Sequence, residues 1–494
     1  MKQNIQEQNG QTPATEAEAA VQGGNSAIRH VLKYTGLFGS VQGINMLVSL
    51  LRNKLTAWLL GPAGIGLINL FNSLTKFIGD STNFGISFSA VKHVSELFEE
   101  EDTERIRAFV RVVRTWSLLT ALLGTIVCVI AAFFHDHTTD IIIVSPIVGI
   151  LALMGGEMAI LKGMKELKRV AKVSVASALS TLVICVPLYY LMGLRGVSVA
   201  LLVSNIAVLA IYLSASTKVF PYVVTLFSKQ DLKAGLPMIR LGVGYIVAGV
   251  FGSGAQNYIL ESINDVGGEA AVGLYSSGYV MMVQYASVVL ASLEADYFPR
   301  LSGICHDRMK MNDTVNHQIE VCTLLLAPML VFFVIAMPYL LQLLYSQKFV
   351  AAVPMAVCAS FYIFFKALFT PVEYLPLAKG DSVMYMTSEL IYDIFVAIAV
   401  PCAYCTHGLW GAGFALSVGG LIELIFVNIV YRYKYHYAFC FKWLPVYLVQ
   451  FSLLCAAVAV SFFGHGWMYW VLGIAMLMVS AAISFLLLKK EMKR

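Results

Sequence analysis

Apolar residues fill long runs along this chain, and polar residues collect in the short stretches between them. These runs approach or exceed the roughly 20 residues that a helix needs to cross a hydrocarbon layer of about 30 Å. They cover 34–60, 63–91, 113–134, 141–162, 173–192, 195–215, 236–261, 270–296, 318–345, 350–377, 382–405, 408–432, 443–463 and 467–488. Because a bilayer offers the backbone no hydrogen-bond partner, the pattern predicts an all-α integral membrane protein with about 14 transmembrane helices.

Short sequence landmarks recur in the same order about 200 residues apart, which indicates a duplicated chain. Residues Gly61, Ala63, Ile65, Gly66 and Leu67 return 207 positions later as Gly268, Ala270, Val272, Gly273 and Leu274. The segment GLRG at 193–196 similarly returns as GLWG at 408–411. We therefore expect two parallel six-helix lobes around a central cavity. They cover 28–215 and 235–435, a linker over 216–234 joins them, and two extra helices occupy 443–488.

The composition supports a membrane environment. The mean hydropathy is +0.76, 59% of the residues are hydrophobic and only 13% are charged, which exceeds what a soluble core of this length would bury. Residues 1–27 lack an apolar core, so they are not expected to form a signal peptide and are predicted to be a disordered cytoplasmic tail. No Gly-rich phosphate loop followed by Lys and Ser or Thr is present, and we expect no cofactor.

The basic residues predict the orientation. Of the 34 lysines and arginines, 28 lie on the same side as the N-terminus; Arg195 and Lys348 lie on the opposite side, and four lie within spans. This bias predicts that both termini are cytoplasmic. The net charge of +5 is therefore divided among loops at the membrane edge, which argues against nucleic acid as a partner.

Metal and redox chemistry are not expected. Cys402 and Cys405 have a suggestive spacing, but no second ligand pair accompanies them. His135 and His137 are expected to be solvated residues of one outside loop.

Charged residues within the first two spans are candidates for a functional site: Arg52, Lys54 and Lys76 for binding a substrate, and Asp80 for ion coupling or for lining the cavity. A charge inside the bilayer is unfavourable by roughly 2.5 to 3.5 kcal/mol unless it is paired, faces water or reaches an edge. Arg52 and Lys54 lie about 10 to 13 Å from the turn at Gly61, where snorkelling to the edge is the alternative. Lys76 and Asp80 lie deeper and share a helix face, where the alternative is an internal ion pair.

The second lobe carries its own intramembrane charges. The tenth and eleventh spans are predicted to form a hairpin through 380–381, which places Lys366 and Asp393 at matching depth, and Glu373 and Glu389 nearer the turn. A structural ladder of paired charges is the alternative to an ion-coupling role. We predict that Lys366 and Asp393 pair in one conformation. The remaining charges are expected to be solvated or snorkelled near the edge or to stand alone, namely Glu157, Lys162, Arg240, Glu294, Asp296 and Glu423.

The two lobes are thus unequal in charge. Cations dominate the opening helices of the first lobe, whereas acids dominate the hairpin of the second. An anionic substrate would be attracted to the first lobe, and the second would sense protons or another cation.

Several segments carry a resemblance to a known family. They are LGPAGIGL at 60–67, preceded by Lys54, then FGI at 84–86, FPRLS at 298–302, SQKF at 346–349, AKG at 378–380 and GLWGA at 408–412. Together they resemble bacterial O-antigen and lipid-linked oligosaccharide translocases. These form the polysaccharide-transporter branch of the superfamily that also contains multidrug and toxin extrusion antiporters.

The resemblance implies a flippase of the bacterial inner membrane. Two six-helix lobes would enclose a charged cavity and alternate in access, moving an undecaprenyl-pyrophosphate-linked oligosaccharide from the cytoplasmic to the periplasmic leaflet. Polysaccharide polymerases and glycosyltransferases would be its pathway partners. Lys54 matches a basic position of the family's first helix and Arg240 falls near a basic residue that opens the seventh, whereas Lys76, Asp80, Glu389 and Asp393 match no position of the pattern.

Two other functions stay open. A cation-coupled multidrug antiporter of the same superfamily would use its acids, but the cations of the first two spans argue against it. An integral membrane polysaccharide polymerase or ligase would be expected to carry a large outside loop with catalytic side chains, and the predicted outside loops are short. Translocation breaks no bond, so we expect no catalytic residue.

Overall fold

The computed structural model describes the backbone of residues 13–221 and 229–491, and the side chains of 41–221 and 230–490 except those of 244, 245 and 295. The described residues form helices joined by turns, without strands. The helices are α1 (Pro13–Thr82), α2 (Ile86–Glu99), α3 (Thr103–Ala132), α4 (Thr138–Gly163), α5 (Leu167–Met192), α6 (Val197–Ser216), α7 (Lys229–Tyr279), α8 (Tyr285–Ile304), α9 (Arg308–Leu344), α10 (Val353–Ala378), α11 (Ser382–Tyr435), α12 (Leu444–Phe463) and α13 (Gly466–Glu491). A π-helical segment, Val280–Gln284, makes α7 and α8 continuous.

Ten helical segments of the described chain are long and apolar enough to cross a membrane. Four of them, of 42, 50, 49 and 54 residues, are about twice as long as one crossing needs. Each of these four contains a glycine with positive φ that separates two helices: Gly61, Gly193, Gly268 and Gly408. The ten segments therefore hold fourteen crossings, which confirms the predicted number; we refer to them as spans 1 to 14 in chain order.

The four glycines confirm the duplication. Gly61 and Gly268 have φ values of 67° and 69°, each with an extended ψ. Gly193 and Gly408 form a second matched pair, with φ of 59° and 64° and ψ of −141° and −147°. Glycine is favoured at these positions because a Cβ makes positive φ unfavourable. These turns lie at one end of the bundle, which we call the glycine-turn end.

Three predicted boundaries differ from the structure. Span 2 ends at Thr82 instead of 91, because Phe84 and Gly85 take positive φ and α2 begins as a separate short helix. Residues 1–12 of the predicted disordered tail lie outside the described residues, but α1 begins at Pro13, in a stretch rich in helix-forming Ala and Glu. Residues 222–228 of the predicted linker also lie outside the described part, and α7 begins at Lys229.

The last two helices pack on the second lobe. Span 14 contacts α9, where the Tyr469 hydroxyl donates to the Ile335 carbonyl oxygen at 2.5 Å. Spans 13 and 14 are held together by a buried polar contact, in which the Ser480 hydroxyl donates to Oε1 of Gln450 at 2.6 Å. Such polar contacts between helices are favourable in lipid, which offers no competing partner.

Candidate functional site

The two lobes contact each other at the glycine-turn end. Lys54 of span 1 donates from its Nζ to the carbonyl oxygen of Gln342, 3.1 Å away in the last turn of α9. The end of a helix carries free carbonyls and a partial negative charge, so an ammonium group there is stabilised. The predicted cavity residue Lys54 therefore bridges the lobes in this conformation.

A second set of contacts joins the same ends of the lobes. His137 of the α3–α4 turn lies 3.3 Å from a carboxylate oxygen of Glu269, and His135 lies 3.9 Å from one of Glu261. They border a cavity of about 260 Å³. The expectation that these histidines are only solvated loop residues was wrong, because the loop is folded against span 7 and the turn at Gly268 that follows it. The sequence could not predict these contacts, because each histidine is more than 120 positions away from its glutamate in the chain.

Span 2 faces span 7 across the lobe interface. The Ser73 hydroxyl lies 3.1 Å from Oδ1 of Asn257, and Asp80 lies beside the hydroxyl of Ser253. Just after the end of span 2, a Cβ built on Gly85 would lie 2.2 Å from the carbonyl oxygen of Gly242, so the two backbones are in contact there. Lys76 and Asp80 do not form the internal ion pair that was the alternative. Among the described residues, no carboxylate oxygen lies within 4.0 Å of the Lys76 ammonium.

The other predicted cations lie apart from this group. Arg52 interacts electrostatically with the phenol of Tyr189 on α5, inside the first lobe. Arg240 is exposed near the start of span 7, two residues before Gly242. The structure thus brings the face of span 2 that carries Lys76 and Asp80 to the lobe interface, and Lys54 to its glycine-turn end. Arg52 lies inside the first lobe, and Arg240 is exposed near the start of span 7.

The predicted hairpin of the second lobe is present, with Gly380 at a φ of 76° in its turn. The Lys366 ammonium lies 5.7 Å from the centre of the Tyr362 ring, a cation–π contact. Asp393 lies next to span 7, where a Cβ built on Gly252 would be 3.4 Å from Asp393 Oδ2. Within the described side chains, Lys366 and Asp393 are not within 4.0 Å of each other as an ion pair, so this conformation does not hold their predicted pairing.

Two acids that the sequence analysis assigned to the edge are buried. Glu423 of span 12 is 2% exposed and lies beside Glu373 and Glu389. It lies three residues after Gly420 in an apolar stretch, and the pair Gly419-Gly420, where neighbouring side chains pack closely on the helix, was the sequence signal available for its burial. The acidic group of the second lobe therefore comprises Glu373, Glu389 and Glu423, with Asp393 one turn beyond.

The other buried acid, Glu157, is 3% exposed and forms a bidentate ion pair with Arg114, at 2.9 and 3.1 Å. The guanidinium also donates to the carbonyl oxygens of Phe220 and Pro221 at 3.1 and 3.0 Å. This pair therefore attaches the start of the interlobe linker to the first lobe. A buried pair persists when its hydrogen bonds are satisfied in this way, and the expectation of a solvated Glu157 was wrong.

Outside the spans, Asp381 closes the hairpin of the second lobe at the end opposite the glycine turns. Its Oδ2 accepts hydrogen bonds from Lys434 Nζ and the Tyr435 hydroxyl, both at 2.7 Å, and Oδ1 caps α11 at Met384 N. The Lys434 hydrogen bond, followed by that of Tyr435, holds the pKa of Asp381 below its ordinary value. The carboxylate is therefore charged throughout the physiological range.

Solved structures share this architecture. A structure of the lipid II flippase MurJ in an inward closed conformation superposes with a TM-score of 0.66 at 15% sequence identity, over 93% of this chain and 100% of that one. An inward-facing multidrug resistance MATE family transporter of the MOP superfamily gives 0.65 at 14% identity, over 79% and 94%. A MOP superfamily transporter from Pyrococcus furiosus gives 0.52 at 13%, over 81% and 93%. At such identity the likeness shows the fold alone.

The described helices define a multi-pass membrane protein whose fold is shared by these solved transporter structures. The sequence profile of the family described as polysaccharide biosynthesis protein matches residues 55–354, more than half of the chain. The chain belongs to this family. A search of curated proteins gives no match.

Proposed function

We propose that this protein is a flippase that moves an undecaprenyl-pyrophosphate-linked oligosaccharide, such as an O-antigen repeat unit, between the leaflets of the membrane. The observation that carries the proposal is Lys76. It is an exposed ammonium group near the middle of span 2, on the lobe interface and without an ion pair in the described chain, in a protein of a polysaccharide biosynthesis family. A cation in this position must face water, and it attracts a negatively charged group into the cavity.

The substrate class fits this chemistry. A pyrophosphate needs cations as it crosses the bilayer, and Lys54, Lys76, Arg52 and Arg240 are the cations that the first span pair and the start of span 7 supply. The polyprenyl tail can remain in lipid beside the lobes. No bond is broken, so the proposed activity requires binding groups and a change of access, with no nucleophile, general base or metal.

Alternating access would be produced by rocking of the two lobes. The contacts of Lys54 with Gln342 and of the two histidines with Glu261 and Glu269 would hold the glycine-turn end closed. Opening that end breaks them, and Lys54 is then released from the end of α9 toward the substrate. The acids Glu373, Glu389 and Asp393, joined by Glu423, are proposed to take up a proton or another cation that drives one step of the cycle; Asp80 would respond from the first lobe.

We further propose an inner-membrane location with both termini in the cytoplasm, since the basic residues concentrate at the end opposite the glycine turns. Single cysteines in a cysteine-free chain test this orientation. A membrane-impermeant maleimide added from outside should label position 265 and leave positions 168 and 308 unlabelled. Labelling at 168 would reverse the orientation.

The similarity to solved multidrug transporter structures suggests a rival function, a cation-coupled multidrug antiporter. Its acids would be expected to face the cavity with no opposing cation, and Lys76 argues against that arrangement. A polymerase or ligase, the rival from another class, would need a catalytic loop outside the spans. The turns at the glycine-turn end are short in the described chain; the α3–α4 turn covers only 133–137.

The test is performed in a strain that lacks this gene and in proteoliposomes. Deletion should cause lipid-linked oligosaccharide to accumulate in the inner leaflet, as measured by its protection from an externally added lectin in intact spheroplasts. Purified protein should make the extracted oligosaccharide lipid accessible to the lectin in proteoliposomes. If deletion leaves the distribution between leaflets unchanged, and the protein instead confers resistance to cationic drugs, the antiporter is the correct assignment.

A further inference from the structure

Span 2 has a polar face that extends across the membrane. Six polar residues recur along it at spacings of one, three and four, which places them on one side of the helix. They are Asn69, Asn72, Ser73, Lys76, Asp80 and, directly after the last helical residue Thr82, Asn83. The opposite side of the same helix is apolar: Leu67, Phe71, Leu74 and Ile78 are buried in the core of the first lobe. A polar face of this length in a membrane helix must contact protein or water.

Only one edge of the polar face is used to hold the lobes together. Ser73 contacts Asn257 and Asp80 lies beside Ser253, as described above. Asn72 and Lys76, one helical turn apart, are exposed, and in the described chain the Asn72 amide makes no hydrogen bond. Asn69 uses its Nδ2 for the Ile65 carbonyl oxygen at 2.8 Å, which leaves the amide oxygen as an acceptor. Half of the face therefore remains available to a ligand.

The duplicated lobe shows that the fold does not require these polar groups. At the 207-residue offset, the equivalent positions of span 8 are Ser276, Tyr279, Val280, Val283, Ser287 and Leu290. No amide and no charged group is present among them, and Val283 and Leu290 are 3% and 1% exposed. The same architecture is thus built without amides or charges on this face in one copy and with an amide-rich, charged face in the other, so the amides of span 2 serve a purpose other than folding.

The chemistry of the open half selects the ligand. Each asparagine amide offers both a donor and an acceptor, the pair that a sugar hydroxyl matches, whereas a phosphate accepts only and is bound by cations. Asn69 and Asn72 carry no charge, so their part of the face favours a neutral, hydroxyl-rich group. A hydrophobic drug would find little apolar surface here.

We propose that Asn69 and Asn72 form a subsite for the sugar units of the substrate, next to Lys76, whose ammonium group is assigned to the pyrophosphate. This inference rests on the proposed function and names the part of the cavity that distinguishes a glycan from a bare polyprenyl pyrophosphate. In this proposal the glycan is bound by span 2 of the first lobe, and the equivalent residues of span 8 contribute no amide to it.

The experiment compares two probes on the purified full chain: undecaprenyl pyrophosphate without sugar, and the lipid-linked oligosaccharide that accumulates in the deletion strain. The variants are Asn72→Leu and Asn69→Leu, which replace an amide by an apolar group of similar size. Asn205→Leu is the matched control, because Asn205 of span 6 bonds the carbonyl four residues earlier at 2.8 Å, as Asn69 does, but lies away from the lobe interface. Binding is measured by native mass spectrometry in detergent, with monodispersity checked for each variant.

Loss of the amide should weaken binding of the oligosaccharide lipid about tenfold, as expected for a lost pair of hydrogen bonds, and leave binding of undecaprenyl pyrophosphate unchanged. Asn205→Leu should bind both probes like the unmodified protein. Equal weakening for both probes, or no weakening for either, would overturn the sugar subsite while the flippase assignment stands. If the unmodified protein binds neither probe, the proposed function itself fails.

Discussion

Gly66 and Gly273, which are equivalent residues of the two repeats, pack against each other's helices in a reciprocal contact. A Cβ on Gly66 would lie 1.8 Å from the carbonyl oxygen of Glu269, and a Cβ on Gly273 would lie 1.9 Å from that of Pro62. Pro62 and Glu269 are themselves separated by the repeat offset of 207. The lobes therefore meet about a local two-fold axis, at a point where two backbones approach without side chains between them.

The first prediction follows from this contact. Gly66→Ala or Gly273→Ala places a methyl group against a backbone carbonyl, an overlap that is unfavourable by about 1 to 3 kcal/mol unless the lobes separate. We expect the glycine-turn end to open. The measurement is the distance between spin labels at positions 134 and 266, both exposed at that end on different lobes. It should lengthen in either variant, and transport should fall. Gly249→Ala is the control, since a Cβ there meets nothing within 4 Å; an unchanged distance in both test variants would contradict the contact.

The second prediction concerns the histidine–glutamate contacts at the same end. The Glu261→Gln, Glu269→Gln double variant removes the carboxylate partner of His135 and that of His137. With two partly exposed pairs of about 0.5 kcal/mol each, the closed population should fall a few-fold. The spin-label distance between positions 134 and 266 should therefore lengthen in the double variant at fixed pH. An unchanged distance would exclude these contacts as part of what holds this end closed.

The third prediction concerns Lys76. Lys76→Ala should lower the rate of oligosaccharide flipping about tenfold or more, because a charge-assisted hydrogen bond to the pyrophosphate is lost. Insertion should be unaffected, since removal of an intramembrane charge is favourable in lipid. Flipping in proteoliposomes and protein level in membranes are the measurements. Lys92→Ala serves as the control, because Lys92 lies on a solvated helix beside Glu96, at 3.9 Å. Full activity of Lys76→Ala at low expression would exclude an anion site at this position.

Lys366 and Asp393 provide the fourth prediction. They lie at matching depth but are not paired here, so their pairing is expected in the alternate state of the lobes. Each single replacement, Lys366→Ala or Asp393→Ala, should reduce transport, because it leaves the other charge without its partner in that state. In a double-mutant cycle the combined loss should be smaller than the sum of the single losses. Exchange of the two residues should restore protein level. Strictly additive losses would show that Asp393 acts alone.

The fifth prediction concerns Asp381. Asp381→Ala removes the cap of α11 and the contact with Lys434, so the thermal unfolding temperature in detergent should fall, with a loss of about 1 to 2 kcal/mol in stability. Because the pKa of this carboxyl is lowered on folding, its contribution is complete above the ordinary Asp value of about 3.9 and is lost as pH falls below it. The difference between variant and unmodified protein should therefore be constant from pH 8 to 5. A difference that disappears between pH 7 and 6 would contradict this assignment.

Local sequence determined the elements of this protein. Apolar runs predicted fourteen crossings because a bilayer requires about 20 residues of helix, and the repeated glycines predicted two equivalent lobes because a turn with positive φ favours glycine wherever it recurs. The same local rules placed Lys54, Lys76, Lys366 and Asp393 within the membrane. The sequence also showed that intramembrane cations dominate the first lobe and acids the second, because the residue type at each position is read directly from the chain.

Tertiary structure decided which of these groups meet. Hydropathy gives the depth of a residue but not the rotation of its helix against a neighbour, so the burial of Glu423, the bidentate pairing of Glu157 with Arg114 and the contact of Lys54 with the end of α9 did not follow from the sequence. His135 and His137 contact Glu261 and Glu269 only because the α3–α4 turn packs onto the other lobe. Contacts between distant segments depend on the packing of whole helices, and that packing is a property of the assembled lobes.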